Sequence, residues 1–234
     1  MKTDDPRWFG LYGIVGADEA PTPEERQRRT LALADALLGA GVGVLQLRDK
    51  VSDGRELVRT ARLLVTRAHT KGALFLVNDR LDVALIAGAD GVHLGQDDLP
   101  VEEVAVVLRA LGRDREKLIV GLSTHDLDEV RTGVEQRADY LGFGPIFPTA
   151  TKASGRAPRG PSRLAEAVRM AGAVPVIAIG GIGLANVAAV AGAGAKMAAV
   201  ISDVSGAADP LARAQAIQAR FESAAACARP RPGG

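Results

Sequence analysis

Two acids stand where a metal could sit. The stretch from Leu74 to Pro100 reads LFLVNDRLDVALIAGADGVHLGQDDLP. Its two short apolar runs each end abruptly in acid, the first at Asn78 and Asp79, the second at Gln96, Asp97 and Asp98. One short helical segment separates them. If both runs are parallel strands, two carboxylates emerge side by side at one edge of a sheet. Such a pair suits a hard divalent cation such as Mg²⁺, which takes oxygen ligands and shares them with a substrate phosphate. Either acid alone reads more simply as a helix cap or a turn residue. The other strand ends decide between the readings.

QLRDK alternates Gln46, Arg48 and Lys50, and period-two spacing puts all three on one face of a strand. Two cations and an amide facing inward need an anionic partner. On the opposed reading Arg48 and Lys50 lie past the strand and are solvated. GLSTH offers Ser123, Thr124 and His125, the last either capping the helix at Asp126 or facing a pocket. His93, set between apolar neighbours, reads as a hydrogen-bonded core residue. GFGPIFPTATK supplies Thr149, Thr151 and Lys152, two hydroxyls and an ammonium suited to an anionic ligand. Gly180 and Gly181 precede a helix expected to begin near Leu184, and Ile201 and Ser202 end the last apolar run. Glycine turns and amides at a helix start cradle a phosphate without charged side chains.

The sum is a diphosphate–metal grip from Arg48, Lys50, Asp79, Asp98 and Lys152, and a monophosphate grip from Gly181 and Ser202. No nucleophile stands paired with a base, and no zinc constellation is present. An enzyme holding a diphosphate and a monophosphate together could join two substrates, with pyrophosphate as leaving group.

These residues need a scaffold that converges strand ends. Short runs rich in Val, Ile and Leu recur every 20 to 35 residues or so: LYGIVG, VGVLQLR, ALFLVN, GVHL, LIVGLS, DYLGFG, VPVIAIGG and AKMAAVIS. Several are near-continuously apolar, as parallel strands covered on both faces are. Helical patterns lie between them, as at Leu57, Val58, Ala61, Leu64, Val65 and Ala68. A helix from Pro210 to Ala226 closes the chain. Eight strands alternating with helices predict a single (β/α)₈ TIM barrel over residues 1–226, with 227–234 as a disordered tail. An open doubly wound sheet is the alternative, and the absence of a GxGxxG after the first strand argues against a dinucleotide fold. The polar stretch Pro148 to Pro161 is the long loop, and long loops at this face of a barrel are commonly functional.

Bulk properties narrow the function. The chain has 234 residues, 47% of them hydrophobic and 24% charged, so a full core is affordable. A net charge of +1 and 3% aromatics argue against nucleic acid or an anionic membrane as partner. The one cysteine, Cys227, rules out an intrachain disulfide and fits a reducing compartment. MKTDDPRWFG lacks the apolar core of a secretory signal, and no apolar run reaches the roughly 18 residues of a membrane span. A cytoplasmic enzyme acting on small molecules is the expectation.

Taken in order, QLRDK, NDR, ADGVHLGQDDLP, GLSTH, ADYLGFGPIFPTATK and IAIGGI resemble the thiamine-phosphate synthase (thiamine-phosphate pyrophosphorylase) family over nearly the whole chain. The resemblance implies a TIM barrel. It implies coupling of hydroxymethylpyrimidine diphosphate to a thiazole phosphate carboxylate, giving thiamine phosphate, pyrophosphate and carbon dioxide. It further implies that Gln46, Arg48, Lys50, Asn78, Ser123 and Lys152 bind the pyrimidine diphosphate, and that Asp79 and Asp98 hold Mg²⁺ on it. Thr149 to Thr151, Gly181, Ile201 and Ser202 would bind the thiazole phosphate. The implied mechanism is dissociative, with Arg48, Lys50 and Lys152 stabilising the departing group. Strand eight departs from the family pattern at Lys196, Met197 and Asp203, which puts barrel packing in question and sets an acid near a phosphate. The competing readings are a thiazole tautomerase-like isomerase on the same barrel, a non-catalytic phosphate-ligand-binding barrel, and a generic phosphate-binding barrel enzyme such as an indole-forming synthase.

Overall fold

Apolar runs with both faces covered become strands here. In the computed structural model, which describes residues 5–16, 19–149 and 157–228, eight parallel strands close a barrel in chain order. They are β1 (Gly10–Val15), β2 (Val44–Leu47), β3 (Leu74–Asn78), β4 (Gly91–Leu94), β5 (Ile119–Thr124), β6 (Tyr140–Phe143), β7 (Val176–Ala178) and β8 (Met197–Val200). Around them run α1 (Pro23–Gly39), α2 (Gly54–Thr70), α3 (Leu81–Ala87), α4 (Val101–Ala110), α5 (Leu127–Glu135), α6 (Gly160–Ala171), α7 (Val187–Gly192), α8 (Ser202–Ser205) and α9 (Pro210–Ala228). The expected TIM barrel is therefore present, and the open sheet is excluded by the β1–β8 ladder that pairs Gly10 with Met197. No helix among the described residues is long and apolar enough to cross a membrane.

Alternation along each strand sorts side chains into two layers. Outward positions such as Leu11, Val15, Leu45 and Phe75 pack against the helices. The helices meet them with apolar stripes, as α2 does with Leu57, Ala61, Leu64 and Ala68. Caps set the helix starts: Asp53 accepts from Glu56 N at 2.9 Å, and Asp126 accepts from Glu129 N at 2.9 Å. Inward positions form a second core of Tyr12, Ile14, Val44, Leu76, Ile119, Tyr140, Ile177 and Met197, closed at the N-terminal end by Trp8. Met197, a departure from the family pattern, is thus a fully buried member of this inner layer. Lys196, another departure, is exposed.

Glycine makes room for the large rings. A Cβ at Gly121 would lie 2.1 Å from Tyr140 Cζ. Gly121→Ala must therefore displace the Tyr140 ring, and overpacking of this kind costs about 2 kcal/mol. Urea unfolding of the variant should show that loss as a lower midpoint at unchanged slope. An unchanged midpoint would mean the ring has space to spare.

Three element ends differ from expectation. The helix after β7 begins at Val187 and not near Leu184. The Asn186 side chain holds the intervening turn out of helix, accepting from Gly183 N at 2.9 Å and donating to Gly181 O at 2.8 Å. A separate short helix, α8, starts at Ser202 directly after β8. The final helix runs to Ala228, so Cys227 and Ala228 belong to its last turn; residues 229–234 are not described.

Candidate active site

Arg48 and Lys50 do lie past their strand, since β2 ends at Leu47. The turn nevertheless carries them over the C-terminal mouth of the barrel, where two clefts adjoin. The inner cleft, about 880 Å³ with its open mouth included, has apolar walls from Ile14, Ile179, Ile182 and Ala199. The outer one, about 920 Å³ on the same measure, holds Lys50, Asp79, Asp97 and Asp98. Arg48, Asn78, Ser123 and His125 line both.

The carboxylates meet in the outer cleft. Asp79 follows β3 in a left-handed conformation, φ 62°, with its N–H bonded to His93 O at 2.7 Å. An acid can adopt this backbone at modest cost, and such strain concentrates at functional sites. Its Oδ2 receives the Lys50 ammonium. Asp98 Oδ2 accepts from Gly95 N at 2.7 Å. Burial, and then a hydrogen bond with Asp79, raise the Asp98 acid above the usual carboxylate range. Two carboxylates this close resist joint ionisation, which a cation between them would relieve. Among the described residues no group of three or more His, Cys, Asp or Glu side chains is arranged to hold a metal ion. The Asp79 and Asp98 oxygens suit Mg²⁺, which is bound through one or two carboxylates and shares substrate phosphates. Asp97 sits in the turn after β4, as expected, but caps nothing: the α4 cap is Pro100, without a side-chain bond.

The inner cleft ends in a glycine turn. Gly180 (φ 100°) and Gly181 (φ 62°) follow β7 and press against the β6 loop. A Cβ at Gly181 would lie 2.4 Å from Pro148 O. Gly181, Thr149, Ile201 and Ser202 all line this cleft. Asp203 does not: its Oδ2 accepts from Leu184 N at 3.3 Å and lies 3.7 Å from Arg213 Nη1. The carboxylate of that departure is thus engaged by Leu184 N and Arg213 and is absent from the cleft lining. Thr151 and Lys152 fall outside the described residues.

Along the floor of the clefts runs a file of polar side chains, buried at Tyr12, Gln46, His93 and Tyr140 and reaching the clefts at Asn78 and Ser123. Tyr12 Oη bonds Gln46 Oε1 at 2.6 Å and Tyr140 Oη at 2.8 Å. Gln46 Nε2 donates to Asn78 Oδ1 at 2.9 Å. His93 meets Tyr140 Oη through Nδ1 at 2.8 Å and Ser123 Oγ through Nε2 at 2.9 Å. Burial holds both phenols well above the usual phenol pKa range, so they remain neutral hydroxyls. His93 is hydrogen-bonded and buried, as expected, yet it also lines the inner cleft. The expectation that no hydroxyl stands beside a base needs correcting, because Ser123 and His93 do. The third group is the Tyr140 phenol, however, and no carboxylate steadies a protonated ring as a catalytic triad requires. Of its two readings His125 takes the pocket one: it lines the clefts, while the α5 cap is Asp126 and His125 Nδ1 lies 2.8 Å from Glu129 Oε2.

Tyr12 and Tyr140 were missed in the sequence. They are the chain's 2 tyrosines, each at an inward position of an apolar strand. A phenol there needs a buried partner, which is the signal that could have found them.

Known proteins bear on this geometry. The thiamine monophosphate synthase family model matches residues 11–204. The thiamine-phosphate synthase of Anaeromyxobacter dehalogenans (strain 2CP-C) is 48% identical over 217 residues, spanning 93% of this chain and 90% of that protein. That of Shouchella clausii (strain KSM-K16) is 40% identical over 216 residues, spanning 92% and 98%. Among solved structures, the thiamine phosphate pyrophosphorylase from Pyrococcus furiosus matches with a TM-score of 0.79 at 32% identity, covering 93% of this chain and 98% of its own. With the matching barrel, the paired carboxylates and the glycine turn at one rim, the chain belongs to the thiamine monophosphate synthase family.

Proposed function

We propose that this transferase makes thiamine phosphate by joining 4-amino-2-methyl-5-hydroxymethylpyrimidine diphosphate to a thiazole phosphate or its carboxylate, with release of pyrophosphate. The carboxylated substrate also gives carbon dioxide. The observation that carries this reading is the shared wall. A charged outer cleft and an apolar inner cleft meet along Arg48, Asn78, Ser123 and His125, so two phosphorylated substrates can face each other there.

Asp79 and Asp98 would hold Mg²⁺. Bound there, the cation would supply charge neutralisation for the diphosphate oxygens. Arg48 and Lys50, and Lys152 by family resemblance, receive the same leaving group with positive charge. Gln46, Asn78 and Ser123 fix the pyrimidine. Gly181, Thr149, Thr151, Ile201 and Ser202 hold the thiazole phosphate, largely through backbone donors. The reaction runs dissociatively. The C–O bond to the diphosphate breaks first, the electron-rich aminopyrimidine carries the cation, and the thiazole nitrogen supplies the electron pair for the new C–N bond. Ile14, Ile179 and Ala199 keep water from that cation. The residues' main contribution is positioning.

The test is direct. Purified protein with both substrates and Mg²⁺ should form thiamine phosphate and pyrophosphate in equal amounts, and chelation should stop it. No product under any condition overturns the reading. Product formation undiminished by a chelator overturns the metal assignment alone.

A further inference from the structure

The polar file beneath the clefts has a direction. Each phenol has one proton to give, so the bonds along the file are coupled. Tyr12 Oη lies 2.6 Å from Gln46 Oε1, and Gln46 Nε2 lies 2.9 Å from Asn78 Oδ1, each within hydrogen-bond range. Gln46 therefore shows its carbonyl to Tyr12 and its amide N–H to Asn78 Oδ1. With the Tyr12 proton given to Gln46, Tyr140 must donate to Tyr12. Tyr140 then has only lone pairs for His93, so Nδ1 carries the proton, and Nε2 accepts from the Ser123 hydroxyl. The site is built for this arrangement. The His93 and Tyr140 rings stack at 5.4 Å, and a Cβ at Gly142 would lie 3.1 Å from His93 Cε1.

We infer that Asn78, Gln46, Tyr12, Tyr140, His93 and Ser123 form a hydrogen-bond chain of one polarity, which presents Ser123 to the substrate as an acceptor and Asn78 as a donor. Asn78 Oδ1 is occupied within the chain, so its Nδ2–H groups serve the cleft. The Ser123 proton is occupied likewise, so its lone pairs serve the cleft. A donor on one wall and an acceptor on another match a heteroaromatic ring bearing an acceptor nitrogen beside an exocyclic amine. This assignment of a ligand rests on the proposed function, and the polarity itself does not. Tyr12, Tyr140 and His93 act through their neighbours and are positioning residues. They discriminate against rings that carry the opposite pattern, because a site with committed polar groups rejects a mismatched partner strongly.

Nitrogen-15 NMR of the histidine rings tests the polarity in the free protein. The chain has 3 histidines, so single replacement of His69 and of His125 assigns the His93 signals. The expected pattern is a protonated, pyrrole-like Nδ1 and a bare, pyridine-like Nε2. Tyr140→Phe removes the Nδ1 acceptor and should move the proton to Nε2, toward Ser123. A wild-type ring protonated at Nε2, or at both nitrogens, overturns the inference. Steady-state kinetics test the consequence. Tyr12→Phe should raise KM for the pyrimidine diphosphate about tenfold, the cost of one buried polar group left unpaired, with KM for the thiazole phosphate unchanged. Equal changes in both, or none, count against the positioning role. Absence of thiamine phosphate with the wild-type protein would sink the proposed function and leave the ring-nitrogen result standing.

Discussion

Asp98→Asn should lose turnover by about 10³-fold, the scale of removing one preorganised charge-stabilising group, while the fold becomes more stable. The two outcomes have one cause. Asp98 is held above the ordinary carboxylate range by burial and by its hydrogen bond with Asp79. An acid raised by folding binds more protons in the native state than in the unfolded one between its two acid constants. Stability is therefore lost as pH rises through that window, and the loss persists at about neutral pH. Asparagine keeps an oxygen for Gly95 N and offers Asp79 an amide donor in place of the acid proton. The melting midpoint of Asp98→Asn should exceed that of the wild type at about pH 7, and the gap should close in acid. With no cation between them, the two close carboxylates cost the fold stability. Asp97→Asn, one residue away, should leave kcat within a few-fold. Full turnover by Asp98→Asn at saturating Mg²⁺ would remove the metal assignment, and a lower midpoint would remove the account of its cost.

Gly181→Ala should cut kcat/KM for the thiazole phosphate by about 100-fold, or roughly 2.7 kcal/mol, and leave the KM for the pyrimidine diphosphate near its starting value. Two independent effects add. At φ 62° an L side chain is strained, at about 1–3 kcal/mol. The new Cβ would also sit 2.4 Å from Pro148 O, so the β6 loop that carries Thr149 must withdraw from the cleft. The turn after β7 and the loop after β6 rely on each other: Phe147 N bonds Gly180 O at 3.0 Å, and Ile146 N bonds Ile179 O at 2.9 Å. The outer cleft does not include Gly181, which is why the effect should fall on one substrate. A thiazole KM that stays put would show that the phosphate is held elsewhere.

Periodicity in the sequence was enough for the alternation of strands and helices, because an apolar run covered on both faces and an apolar stripe at helical spacing are local patterns. It was enough, too, to place Gln46, Asn78, Asp79, Ser123 and Gly181 at strand ends, since the end of an apolar run is visible in the residues themselves. Local patterns failed where a side chain outweighed them. Asn186 holds the turn before α7 open, and nothing in VPVIAIGGIGLANV announces that. The positions of charged groups were just as undetermined. Asp203 read as an acid near a phosphate, and only the fold shows its carboxylate held by Leu184 N and Arg213.

The polar file is the clearest case of what closure alone decided. Tyr12 and Tyr140 lie 128 residues apart and touch inside the barrel, and Ser123 reaches Asn78 only through four other side chains. The chain's sequence by itself determined which residues face inward, because the pleat repeats every two residues. Which inward residues meet was decided by tertiary structure, because that depends on how eight strands tilt and register as the barrel closes. The same holds for Asp79 and Asp98. Their neighbouring strand ends were legible in one stretch of sequence, but the contact that raises one acid and suits the pair to a cation exists only when both turns fold over the same mouth.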